Sequence, residues 1–560
     1  MAELQVNPRS AGLHGPSGDS TTLEEFPMER SWKRSWLMAI AIAPLGSAIF
    51  ASPSPSLADL TQRAYLKASN TDAFDFFGRV VSVSNDTVVV TASGEDSSAT
   101  GVNGDESDNS SSFAGAVYVF ARDGAGWHQE AYLKASNSEA GDSFGISASI
   151  SGDTVVVGAP GESSNATGVN GNEADNTRPG SGAAYVFVRN GTTWSQQAYL
   201  KASNTDTDDS FGSAVAIWGD TIVVGAECED SNATGVNGNE GNNTFSAAGA
   251  AYVFVRNGTT WSQQAYLKAS NTGFGDAFGD AVSVWDNTIV VGAKWERSNA
   301  SGVNGDEADN SLLDAGAAYV FVRNGTSWTQ QVYLKASNTD GSDSFGETVS
   351  VSEDTIVVGA SSEDSNATGV NGNDSDNSSP GSGAAFVFGR NGTNWAQEAY
   401  LKSSNSETVD RFGVAVAVSG NTIAVGAIGE DSSATGTNGD QSDNSAPTSG
   451  AAYLFKHSGG SWIQRTYIKA SVAGDGDFFG TSVALSGGKV VVGANFEDSS
   501  ATGVNGDENN NGATSSGAAY AFETRPMADR TNRLPTLVTL PVPLPWSSLS
   551  GPTQIVLSAR

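Results

Sequence analysis

A tyrosine returns every 67 residues through most of this chain, at Tyr65, Tyr132, Tyr199, Tyr266, Tyr333, Tyr400 and Tyr467. Phe-Gly pairs keep the same step, beginning at Phe77, Phe144, Phe211, Phe278, Phe345, Phe412 and Phe479. Trp127, Trp194, Trp261, Trp328, Trp395 and Trp462 keep it too. No insertion or deletion disturbs the step. Such a period marks a repeat architecture, in which each unit buries its apolar face only against its neighbours. It excludes the three or four independent domains that a length of 560 residues would otherwise suggest.

Each unit carries four short strand signals rich in Val, Ile, Ala and aromatics. In the second unit they cover residues 144–151, 154–158, 183–189 and 194–202. Ser151-Gly152-Asp153-Thr154 joins the first pair and Asn190-Gly191 opens the turn of the last, both with hairpin chemistry. Nothing beyond the first 58 residues has helical periodicity. The unit is therefore a four-stranded antiparallel meander. The array begins with an orphan fourth strand, at 62–68, and its last unit, 479–522, has only three strands. One orphan and three strands complete a seventh sheet, which closes a ring and removes its open edges. The expected fold is all-β, a closed seven-bladed β-propeller over 59–523 with the N-terminal strand completing the last blade.

Phe-Gly at the head of the first strand, followed by Gly158-Ala159-Pro160, resembles the FG-GAP repeat of the integrin α-subunit propeller. Gly225-Ala226, Gly292-Ala293, Gly359-Ala360, Gly426-Ala427 and Gly493-Ala494 repeat the motif without its proline, and Thr91-Ala92 has lost the glycine as well. The chain is most similar to the FG-GAP proteins of bacterial surfaces and secretions. That resemblance implies a propeller used for adhesion or ligand binding. In the integrin-type repeat a calcium-binding Asp-x-Asp-x-Asp-Gly loop joins strands one and two. Here that connection is a tight turn, so the family's calcium site does not carry over.

What stands out instead is a long acidic loop between strands two and three. The chain has 62 acidic and 29 basic residues, a formal net charge of -33. That balance repels nucleic acid and anionic membrane surfaces. Most of the acids fall in the two-to-three and four-to-one loops, which emerge on one face of an up-and-down blade. The loops repeat a glutamate, an Asn-Gly pair and a closing asparagine. Clustered carboxylates and carbonyls are what Ca²⁺ requires, with its six to eight oxygen ligands. The candidate ligands are Glu95, Asp96, Asp105 and Asp108 in the first unit, then Glu162 and Asp175, Glu229 and Asp230, and Glu296, Asp306 and Asp309. Glu363, Asp364 and Asp376, then Glu430, Asp431, Asp440 and Asp443, and finally Glu497, Asp498 and Asp507 complete the series. The competing reading is a solvated loop held by Asx-turns and partly neutralised by Lys67, Lys134 and their equivalents. Another recurrent acid precedes each Phe-Gly by two residues, from Asp75 to Asp477, as a turn cap. Units three and four depart from the consensus at Trp218, Trp285, Trp295, Lys294 and Arg297, and Trp295 with Lys294 is the candidate ligand patch.

Arg30, Lys33 and Arg34, the apolar run 37–50 and Ser56-Leu57-Ala58 follow the order of a secretory signal peptide, with Met28 as its start. The run is too short for a transmembrane span. Residues 1–58 are accordingly a leader, 524–560 a proline-rich tail outside the repeats, and the mature chain an exported or cell-surface monomer. Cys228 is the sole cysteine, which excludes an internal disulfide framework, and three histidines leave little for histidine chemistry. Nearly every polar residue of interest occurs seven times, whereas catalysis needs groups in unlike environments. No enzyme activity is expected, a secreted hydrolase being the minor alternative. The expected partner is a protein or glycan at the acidic face. The rival is a structural repeat protein of an envelope or matrix.

Overall fold

The computed structural model describes residues 60–524. The expected leader and the tail beyond Thr524 lie outside the described residues. Twenty-eight strands, β1 to β28 in chain order, form seven four-stranded antiparallel sheets. The first blade is β2 (Phe77–Ser84), β3 (Thr87–Ala92), β4 (Ala116–Asp123) and β5 (Gly126–Leu133). The next five repeat that order, up to β22 (Phe412–Ser419), β23 (Thr422–Ala427), β24 (Ala451–Ser458) and β25 (Ser461–Ile468). The seventh combines β26 (Ser482–Ser486), β27 (Lys489–Ala494) and β28 (Ala518–Thr524) with β1 (Leu60–Leu66). β1 runs antiparallel to β28, with Tyr65 opposite Tyr520 and Leu66 opposite Ala519. The first strand of each blade packs beside that of the next, and β26 returns to β2, so the ring is closed. The expected propeller and its closure by the N-terminal strand are the observed ones.

The core lies between blades rather than within them. Second strands such as Val88–Val90 are buried on both faces, which explains their unbroken apolar run. At a typical seam, Val223, Ala251 and Leu267 of one blade meet Phe278, Ile289 and Tyr319 of the next. Phe278 stands edge-on to Tyr319, with ring centroids 5.3 Å apart.

The glycines of the repeated motif have a single cause. Gly279, at φ +99°, brings its backbone against the preceding blade, where a Cβ would lie 2.2 Å from the Ala250 carbonyl oxygen. A Cβ on Gly225 would in turn meet the Gly279 carbonyl at 2.0 Å. The motif is thus a backbone-to-backbone seam between blades.

Each fourth strand also carries a bulge. Phe120 faces Gln129 and Val119 faces Ala131, so Glu130 is left out of the ladder. The bulge turns that residue toward the next blade. There it accepts the indole N–H of the following tryptophan: Trp194 Nε1 to Glu130 is 3.0 Å, and Trp261, Trp328 and Trp395 bond Gln197, Gln264 and Gln331 at 2.8 Å. These tryptophans are the expected blade-to-blade packing, each stacked beneath an arginine such as Arg256 over Trp261 at 5.0 Å.

Candidate ligand-binding face

The two-to-three and four-to-one loops do emerge together on one face, but the acids divide between its interior and its surface. The seven glutamates expected as calcium ligands point inward. Glu95, Glu162, Glu229, Glu296, Glu363, Glu430 and Glu497 are all buried. Each forms an ion pair with a lysine that closes the fourth strand of its blade: Lys134, Lys201, Lys268, Lys335, Lys402, Lys469 and, from β1, Lys67. Nζ–Oε2 separations run from 2.8 Å for Lys134 to 3.0 Å for Lys67. The other carboxylate oxygen of Glu229 accepts the Tyr266 hydroxyl at 2.9 Å and the Asn204 amide at 2.9 Å. Burial pulls the ammonium pKa of these lysines down, and the facing glutamate pulls it back up. Both oxygens of each glutamate are engaged, so the set does not fit a calcium ion, and the lysine supplies the positive charge.

Exceptions to the sevenfold pattern are matched by stranded atoms. Val472 stands in the seventh blade where the others have asparagine, and there the Tyr520 hydroxyl has no partner. Phe386 replaces the corresponding tyrosine in the fifth, and the Asn338 side-chain oxygen is left without a donor.

The remaining acids order the loops. Asp230 Oδ1 accepts the Ala247 N–H at 2.8 Å, and Asp96, Asp364, Asp431 and Asp498 do the same for Phe113, Gly381, Thr448 and Ser515. Asp105, Asp306, Asp440 and Asp507 each accept the backbone N–H two residues on, as do Asp175, Asp309, Asp376 and Asp443. These are Asx-turns. Serine hydroxyls donating to Asp105, Asp108, Asp440 and Asp443 hold those carboxyls below their ordinary pKa. The recurrent asparagine, as Asn237, sits at φ 54° and brackets Tyr266: its N–H donates to the Tyr266 carbonyl at 2.8 Å and its Oδ1 accepts the Tyr266 N–H at 3.0 Å. A loop without strands of its own is thereby fastened to the fourth strand. Among the described residues no three or more His, Cys, Asp or Glu side chains gather as metal ligands.

The acids before Phe-Gly cap the four-to-one turn. Asp209 Oδ2 accepts the Asp206 N–H at 2.8 Å. Burial, with Glu229, Asp206 and Asp230 close by, pushes its pKa up to about 7. Asp75 reaches about 8 for the same reasons, with Glu95, Asp72 and Asp96 as its neighbours.

On the face opposite, three arginines are neutralised by neighbouring aspartates. Arg189, Arg256 and Arg390 pair with Asp153, Asp220 and Asp354 of the adjacent turns. Trp218 and Trp285, grouped with Trp295 on sequence grounds, lie at the turn ends of their strands on this opposite face, 5.6 Å apart. Trp295 and Lys294 do come together, with Lys294 Nζ 4.8 Å from the indole centroid and Trp295 41% exposed.

Lys294 also marks where the sevenfold pattern breaks at the centre of the ring. A cavity of about 490 Å³ is lined by the innermost strands, mostly with Val, Ala, Ser and Thr. Its charged residues are Arg79, Asp280, Lys294 and Glu347. Lys294 Nζ lies 2.6 Å from Asp280 and 3.7 Å from Glu227. Burial and Glu227 push Asp280 upward in pKa, while Lys294 opposes them. Sequence reasoning missed Arg79, Asp280 and Glu347. Their signal was available: all three occupy the position after Phe-Gly, filled elsewhere by Ile146, Ser213, Val414 and Thr481.

Seven successive stretches, residues 60–120, 127–187, 194–254, 261–321, 328–388, 395–455 and 462–522, each match the FG-GAP repeat. No curated protein matches the chain. Among solved structures, Sqt1 of Chaetomium thermophilum is similar at 11% identity and a TM-score of 0.38, over 78% of this chain and 84% of that one. That likeness is too remote to carry any weight. No helix among the described residues is long and apolar enough to cross a membrane.

Proposed function

The chain belongs to the FG-GAP repeat family, and on that footing we propose that it is an exported propeller for adhesion or ligand binding, with a protein or glycan partner on its loop face. One observation carries this reading. Seven blades of near-identical chemistry would serve a purely structural ring equally well, yet Asp280, Lys294 and Glu347 gather on one arc of the central cavity, at the fourth and fifth blades, with Arg79 apart from them at the first. Lys294, Asp280, Glu347 and the exposed Trp295 depart together from the repeat, beside a cavity of ligand-binding size. An aromatic platform next to a cation and carboxylates suits a polar ligand with an apolar face. Secretion rests on the order of residues in the leader.

The paired substitution Lys294→Ala with Trp295→Ala is expected to abolish binding to cells or to an immobilised glycan panel, with the variant still folded by circular dichroism although its melting temperature falls through loss of the Asp280 pair. Binding that survives it would favour the structural-ring reading instead. Calcium enters only at the exposed aspartates, where Asp108 stands near Asp105 and Asp443 near Asp440. Calorimetry on chelator-treated protein should give weak heat at millimolar Ca²⁺, lost in the Asp440→Asn, Asp443→Asn variant. Heat that is absent, or that survives this change, removes calcium from the reading and leaves ligand recognition standing.

A further inference from the structure

The tryptophan that plugs the blade-to-blade seams is missing at one of them. In the seventh blade the fourth strand is β1, where Leu60 occupies the position of the tryptophans and Thr524 that of the arginines. Across the seam, the bulged residue of β25 is Arg465, where the first five blades place Glu or Gln as the indole's acceptor and β1 places Arg63. The result is a cavity of about 540 Å³ between the sixth and seventh blades, within the range of small-molecule sites.

Its lining is chemically two-sided. Leu60, Leu454, Phe455, Leu485 and Val490 form an apolar wall. Lys456, Arg465 and Lys489 supply three cations, and no carboxylate lines the cavity. In the first five blades small or apolar residues hold the position of Lys456, in the seventh Glu523 holds it, and threonine holds that of Lys489 in every other blade. Lys456 donates to Thr422 Oγ1 at 2.8 Å, the hydroxyl position that Arg256 and Arg323 reach from the neighbouring blade elsewhere, as in Arg256 to Thr154 at 3.1 Å. Lys489 lies 3.2 Å from Asp86. Arg465 has no hydrogen-bond or ion-pair partner among the described residues. Three cations around an apolar space are conspicuous in a chain of net charge -33.

We propose that this seam is a binding site for a small aryl carboxylate, whose ring fills the space of the absent tryptophan and whose carboxylate pairs with Arg465. A planar guanidinium binds a carboxylate through two parallel hydrogen bonds, which a neutral amide cannot match. The probe is indole-3-acetate, titrated calorimetrically into the full chain, with indole-3-acetamide as the neutral control. The expected result is 1:1 binding, weakened at least about tenfold for the amide and by the same factor in Arg465→Gln, which installs the residue that Gln197, Gln264 and Gln331 supply at other seams. Leu60→Trp should abolish binding while holding or raising the melting temperature, because it restores the plug. Three results would overturn the assignment: no heat at millimolar indole-3-acetate, equal affinity for the amide, or undiminished binding by a folded Leu60→Trp variant. A cross-link from Leu60→Cys to the stretch after Thr524 would overturn it as well, since the chain itself would then fill the cavity.

Discussion

Replacing Lys67 with methionine is expected to cost about 3–5 kcal/mol, the range for leaving one member of a buried ion pair uncompensated. Lys67 Nζ meets Glu497 at 3.0 Å, the Ser516 hydroxyl at 2.8 Å and the Gly517 carbonyl at 2.6 Å, and the lysine is fully buried. Its loss strands a carboxylate and two further acceptors. Lys201→Met removes the nearest equivalent, an ion pair with Glu162 and a bond to the Ser181 hydroxyl, within a blade made from continuous chain, so the two variants separate the ion pair from ring closure. Both should lower the urea midpoint; Lys67→Met should lower it further, because only that lysine also ties β1 into the seventh sheet. Adding Glu497→Leu to Lys67→Met should restore much of the loss, since removing both charges relieves the desolvation penalty. A double variant no more stable than the single one would show that the pair is not the source of the cost. Equal losses at Lys67 and Lys201 would show that closure does not depend on it.

Stability should also fall as pH rises from about 4 to about 8. The seven capping aspartates are responsible: burial holds Asp142, Asp209, Asp276, Asp343, Asp410 and Asp477 near pH 7 and Asp75 near pH 8. In the unfolded chain they ionise around pH 3.8. Between those limits the folded chain binds more protons than the unfolded one, so their contribution is fully present below pH 3.8 and is lost as pH rises through the folded values. Each group contributes up to about 1.4 kcal/mol per pH unit, less where water reaches the carboxylate. Asp209→Asn keeps an oxygen for the Asp206 N–H but cannot ionise. Relative to the parent it should gain stability steadily between about pH 4 and about pH 7, as read from denaturant midpoints. A parent midpoint that is flat or rising across this window would contradict the assignment.

The arrangement of blades was legible because one strand pattern is repeated with an unvarying step, and the orphan strand at one end matched the missing strand at the other. The loop chemistry was misread for a definite reason. Seven glutamates and seven lysines share the period, but the glutamates lie in a polar, glycine-rich stretch that looks solvated. Only the fold shows that Asn237 pins this stretch to Tyr266 and so draws Glu229 inward onto Lys268. The count offered a clue: one basic residue, two positions after each tyrosine, keeps the full sevenfold step. The Asx-turns were readable from composition. The split of Trp218 and Trp285 from Trp295 was not, because proximity in sequence does not say at which end of a strand a side chain leaves the sheet. The cavity at the closing seam was written in substitutions, Leu60 for tryptophan and Arg465 for an acceptor, but its size depends on how far the blades stand apart.

Closure by β1 also has a consequence for assembly. Six fourth strands reach their sheets through a short turn, whereas β1 must meet β28 after the whole array between them has folded. Any copy of the same strand presents the same register and the same Lys67. Exchange of β1 between two molecules would therefore preserve every contact of the seventh sheet, a form of domain swapping. What keeps each ring to a single chain is effective concentration: the tethered strand stays near its acceptor, and loop-closure entropy grows only slowly with the length of the tether. The balance between single rings and exchanged ones is thus set by protein concentration during folding rather than by any contact in the finished ring.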